Sequence, residues 1–337
     1  MKAFTTLLVF SLVATHVFAQ TLSIKNCEID IKSSFRGLSV VNDSVVWVSG
    51  SAGWVGRSLN GATTWSFKQV AGFEKVDFRS LYAFDSQTAI IANAGSPASI
   101  LLTTNGGETW KSVYTNTHKD AFFDGVDFWD KKQGVIYGDP IDGRMLLVKT
   151  IDGGKTWQEF PDAQRPLLEE GEASFAASGT GIRCYDKSLL MISTGGKVSR
   201  LYSTTNFGKK WTVQSPPVIQ GESSTGIFSF AFRNNSGILV GGDYLKDSLR
   251  VQHIVLTKNA GKDWNAPTTP TRGYRECVEY ISDQIVISTG PSGTDVSHNG
   301  GMDWSFISDE KGFHVVRKAR TGKLIVIAGN AKIGKIE

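Results

Sequence analysis

Six segments of the chain share one eight-residue frame: a hydroxyl residue, any residue, Asn or Asp, two mostly glycine positions, two variable positions, then Trp. They run from Ser58 to Trp65, Thr103 to Trp110, Thr150 to Trp157, Thr204 to Trp211, Thr257 to Trp264 and Ser297 to Trp304. The third position is Asn60, Asn105, Asp152, Asn206, Asn259 or Asn299, and successive tryptophans lie 45, 47, 54, 53 and 40 residues apart. Hydroxyl, carboxamide and carboxylate side chains bond backbone groups inside a turn, and glycine supplies positive φ without steric cost. The Trp then opens a strand and buries a large aromatic surface. Because the turn itself consumes the polar side chains, these positions predict fold staples, not six ligand or metal sites.

Each repeat carries the same strand order. The first reads Phe35 to Val41, Val45 to Ser49, Trp54 to Leu59, the motif turn, then Trp65 to Val70. Four short strands per repeat is the pattern of a propeller blade. Second strands such as Ala89-Ile90-Ile91 and Gly237 to Val240 are continuously apolar, as strands covered on both faces must be. After the sixth motif, Phe313 to Val316, Leu324 to Ile327 and Lys332 to Glu337 supply three strands without a fourth. The segment Leu22 to Ile29 is a strand without a repeat. Letting it complete the last blade closes the ring and removes an exposed edge. The expectation is an all-β, seven-bladed propeller of four-stranded blades, a single domain over residues 20–337.

These turns are identified as Asp-boxes, the bacterial neuraminidase repeat. The chain from about residue 20 onward resembles the propellers related to photosystem II stability/assembly factors. The likeness is carried by the six turns and by Ser34 to Leu38, Asp77-Phe78-Arg79, Gly138-Asp139-Pro140, Phe175 to Thr180, Gly226 to Ser229, Gly241 to Tyr244 and Gly290 to Gly293. It implies a propeller, a repeat architecture of WD40 type, and a non-catalytic binding or assembly role.

Several function classes lose support. A net charge of +4 on 337 residues, without a basic run, argues against nucleic acid. No glycine loop leads into a helix, so no dinucleotide fingerprint is present, and loops such as Gly138-Asp139-Pro140 read as turn chemistry. Cys27, Cys184 and Cys277 match no metal or haem spacing; one disulfide is conceivable, with the pair undetermined. No cofactor and no metal are expected. Lys2, the apolar stretch Phe4 to Val13 and Val17-Phe18-Ala19 read as a cleavable signal peptide over residues 1–19, cut near Ala19-Gln20. That stretch is too short for a permanent span, so the mature chain is expected to be secreted or periplasmic, monomeric and without an integral membrane segment.

If each innermost strand runs downward, its start and the loop between strands two and three share the upper face. The starts read Phe35-Arg36, Phe78-Arg79, Phe123-Asp124, Ala177-Ser178, Phe228-Ser229, Tyr274-Arg275 and Phe313-His314. The loops add Asp139, Asp243, Tyr244 and the Gly290 to Gly293 turn, and the long segment Asp162 to Glu172 is a candidate lid. The candidate site is therefore Arg36, Arg79, Asp124, Asp139, Glu172, Ser178, Asp243, Tyr244, Arg275 and His314. Guanidinium groups grip carboxylates with paired hydrogen bonds, so the expected partner is a protein segment or a small anionic, carboxylate-bearing ligand. The competing reading is a sialidase-like glycoside hydrolase. It would take Asp124, Asp139 or Asp243 as acid and Tyr244 or Tyr274, aided by Glu172, as nucleophile. Phe35-Arg36-Gly37-Leu38 lacks the Ile and Pro of the sialidase start motif, and seven blades instead of six also weigh against it.

Overall fold

Phe35–Val40, Val46–Gly50, Trp54–Ser58 and Ser66–Gln69 pair in that order, each antiparallel to the last. This unit recurs around a ring. The computed structural model describes residues 22–337 and arranges them in seven sheets. The innermost strands are Phe35–Val40, Asp77–Ala83, Phe123–Phe128, Ile182–Cys184, Thr225–Arg233, Cys277–Tyr280 and Phe313–Lys318, which define blades 1 to 7. The proposed signal peptide lies outside the described residues. Among those described, no helix is long and apolar enough to cross a membrane.

Blade 7 is completed by the N-terminal strand Ile24–Asn26, which pairs with Lys332–Ile336 (Ile24 opposite Ile336, Asn26 opposite Gly334). The ring is thus fastened by the two ends of the described chain. Blade 5 departs from the four-strand pattern. Its outermost strand shrinks to a bridge between Leu256 and Asn265, and two paired two-residue strands, Glu172–Ala173 and Gly195–Gly196, are added to its inner edge.

The six turns have one geometry. The first hydroxyl accepts the N–H of the fifth residue at 2.8–3.2 Å. It donates to the third side chain's oxygen at 2.9–3.1 Å. That oxygen accepts the seventh residue's N–H at 2.9–3.0 Å. Positions four and five have positive φ in all six turns, including Ala62, Phe207 and Ala260 where glycine is absent. The fifth position also abuts the preceding blade. A Cβ on Gly154 of blade 3 would meet Ile90 Cδ1 of blade 2 at 1.9 Å, and one on Gly301 of blade 6 would meet Ile238 of blade 5 at 2.4 Å. The turn is therefore a staple between blades as well as within one.

The cores lie between neighbouring sheets. Val48 of blade 1 clusters with Val316 and Ile327 of blade 7, and Trp47 of blade 1 with Leu81 and Ile91 of blade 2. All three cysteines are free, with Cys277 fully buried near the axis.

Candidate functional site at the upper mouth of the channel

A β-bulge stands at the start of the innermost strand in five blades. The register skips Arg36, Arg79, Asp124, Phe228 and His314, leaving each without a cross-strand partner. A bulge re-aims its extra side chain, and here it delivers one residue per blade to the channel mouth. A second regularity fixes this register. Gly50, Gly138, Gly241, Gly290 and Gly329 stand toward the ends of the second strands, where a Cβ would sit 1.8–2.9 Å from the carbonyl oxygen of Ser34, Phe122, Gly226, Tyr274 or Gly312, in the bulged blades the residue two before the bulged one. In blade 6 that peg is Tyr274, so Glu276 holds the position that Arg36 holds in blade 1, and Arg275 lies one step back.

Arg36, Arg79, Asp124, Asp139 and Tyr244 line one cavity of about 420 Å³, with Phe228, Tyr274 and Glu276. Arg36 donates to Ala177 O at 2.6 Å and to Glu276 Oε2 at 3.3 Å. Glu276 also meets His314 Nδ1 at 2.6 Å and accepts from Tyr274 Oη at 3.3 Å. Burial alone would raise the Glu276 carboxyl, but Arg36 and His314 outweigh it and hold it below the usual range. Asp124 is the reverse case. Burial, then neighbouring Asp139, push it well above the usual range, with Arg79 opposing only in part. Neither Asp124 oxygen has a hydrogen-bond partner among the described residues. Burial raises Asp139 too, although its Oδ1 accepts the Ser174 N–H at 2.9 Å. Arg79 is tied only through Nε, to Asp77 at 2.7 Å, and its side chain is 34% exposed. The mouth thus offers a free guanidinium edge, a buried carboxyl whose acidity is weakened and an aromatic wall.

The remaining candidates lie elsewhere. Arg275 is fully buried and binds Asp295 through Nε at 2.7 Å, Tyr274 O at 2.8 Å and Ser292 Oγ at 3.1 Å. Glu172 is buried among Thr194, Tyr202 and Arg200, so it cannot assist either tyrosine. Tyr274's carboxylate neighbour is Glu276 instead. Ser178 Oγ is spent on Glu276 O at 2.7 Å, and Asp243 caps the Leu245 N–H at 3.0 Å. The segment from Asp162 to Glu172 is not a lid. Its backbone is pinned to the blade 3 hairpin by Met145 N to Pro166 O and Leu168 N to Gly143 O.

What closes the channel is the next stretch, Ser174 to Gly181. Ala177 O meets Arg36 of blade 1, Ser178 bonds blade 6, and Thr180 Oγ1 donates to Ser229 of blade 5 at 2.6 Å. Phe175 stacks on Phe228 with centroids 3.8 Å apart. Small residues let this plug approach the axis. Glu276, Phe228 and the plug are the site features that sequence reasoning missed; the glycine peg at Gly290 was the signal that would have placed Glu276.

Fold and mouth together define a seven-bladed β-propeller whose channel is closed at one end by its own chain. No family model and no curated protein matches the sequence. Among solved structures it is similar to YCF48 from Cyanidioschyzon merolae (TM-score 0.69, 14% identity, 94% of this chain and 99% of that one). It is also similar to YCF48 bound to D1 peptide (TM-score 0.66, 14% identity, 93% and 94%). The WD40 propeller domain of Doa1 matches at TM-score 0.64 and 11% identity over 94% and 96%. At such identities the likeness is one of fold.

Proposed function

We propose that this chain is a non-catalytic binding or assembly factor that captures a carboxylate-bearing protein segment at the upper mouth. One observation carries the reading: the partly exposed guanidinium of Arg79 faces a 420 Å³ pocket with two nitrogens that have no partner among the described residues. Aromatic rings beside it suit a side chain of the bound segment. That a propeller of similar shape is described as bound to a D1 peptide supports a peptide-sized ligand. The six turns are read as Asp-boxes, and the leader as a secretion signal that places the factor in the periplasm or outside the cell. Partner capture from native envelope extracts is expected to fail for Arg79→Ala while the melting temperature holds. Undiminished capture would overturn the reading.

The hydrolase reading has one observation in its favour, the Tyr274–Glu276 contact in the cavity that also holds Asp124, whose carboxyl is raised by burial. Yet Tyr274 is 1% exposed, and burial followed by the Glu276 charge raises its phenol far above 10, which opposes a phenolate nucleophile. No release from a panel of fluorogenic aryl glycosides is expected. Release that disappears in Tyr274→Phe and Asp124→Asn would favour the hydrolase.

A further inference from the structure

The other end of the channel opens into a separate cavity of about 310 Å³, lined where the innermost strands finish. All seven blades contribute, and the side chains are unbalanced in charge. Arg183, Arg317, Lys318 and Arg320 face two carboxylates, Asp127 and Glu279, while the more exposed Arg233 pairs with Asp283. Asp127 is turned to the backbone, accepting the N–H groups of Cys184 at 2.7 Å and Phe128 at 2.9 Å. Glu279 therefore serves both Arg183, at 2.8 Å, and Arg317, at 3.5 Å. Arg317 makes no hydrogen bond among the described residues. Arg320 is held by Ser39 Oγ at 3.0 Å and lies over the Tyr82 ring at 4.5 Å, so its position is set by the fold. Tyr280 lines the same cavity; it is 7% exposed and its hydroxyl has no partner.

Crowding like charges in a half-enclosed, low-dielectric space is costly unless something neutralises them. The surplus guanidinium donors match phosphate or carboxylate oxygens in geometry. The cavity's size is at the small end for ligand sites. We propose that the lower mouth is a second binding site, for a small multivalent oxyanion of the phosphate or polycarboxylate class. It is independent of the upper mouth, since the plug lies between the two.

The test is calorimetric titration of the full chain with inorganic pyrophosphate and with citrate at low ionic strength. Saturable one-to-one binding is expected to one probe or both, and which one binds identifies the chemistry. Arg317→Ala should weaken it by about tenfold or more, the loss of one charge-assisted contact, while Arg79→Ala at the other mouth leaves it unchanged. Glu279 keeps its 2.8 Å contact with Arg183 when Arg317 is removed, so the variant should melt close to wild type, which keeps the comparison clean. Absence of saturable binding to either probe, or equal binding by Arg317→Ala, would overturn the proposal.

Discussion

Two carboxyls at the upper mouth titrate in opposite senses, and the difference is measurable. Burial raises the folded-state pKa of Asp124 above its unfolded value. The native state therefore binds more protons, and stability falls as pH rises above the unfolded value of about 3.9. Asp124→Asn fixes the neutral form. It is expected to flatten that loss, so that its Tm relative to wild type is higher at pH 8 than at pH 5. Thermal melts at pH 5 and pH 8 check this; an unchanged slope would mean Asp124 is ionised when folded. Glu276, held below its usual range, contributes stability above about pH 4.3 that disappears as pH falls through its folded value. Arg275 is a structural residue. Arg275→Ala strands buried Asp295 and is expected to cost about 3–5 kcal/mol by denaturant unfolding.

At the level of the element, the turns and the bulges divide the work of fold and function. Thr150 Oγ1 accepts the buried Gly154 N–H at 2.9 Å and donates to Asp152. Thr150→Val keeps the shape but orphans that N–H, an expected loss of about 1–3 kcal/mol in chemical denaturation. The six turns, the blade order and the borrowed N-terminal strand were legible because each rests on local residue chemistry. The mouth was legible only in part. Reading Tyr274-Arg275 against Phe35-Arg36 slips blade 6 by one residue, which exchanges buried Arg275 for mouth-facing Glu276. Reading Phe228-Ser229 in the same frame slips blade 5 by one residue in the opposite direction, since the bulged residue there is Phe228. The aromatic is no fixed register mark: in blades 1, 2, 3 and 7 it directly precedes the bulged residue, in blade 5 it is itself the bulged residue, and in blade 6 it stands two positions before Glu276. The plug was hidden differently: Ala176-Ala177-Ser178-Gly179 has the small-residue chemistry of any turn, and its place at the axis depends on distant blades.

Across the whole molecule, the ring is held by closure and the channel is split by the plug. Removing residues 22–31 would expose the edge of Lys332–Ile336 and open blade 7. Such a chain is expected to melt lower by more than about 5 °C and to self-associate in size-exclusion chromatography. A monomer with wild-type stability would show that closure is dispensable. The split leaves two chemically unlike mouths, one with buried carboxyls and aromatic rings beside arginine, the other with excess cations. The account rests most heavily on Arg79 as the contact for a bound segment. Titration of a captured partner against wild type and Arg79→Glu, side by side, puts that to the question. It predicts at least about tenfold weaker binding for the variant, from a lost charge-assisted contact, and no change for Lys318→Ala at the opposite mouth. Equal affinities for wild type and Arg79→Glu would contradict it.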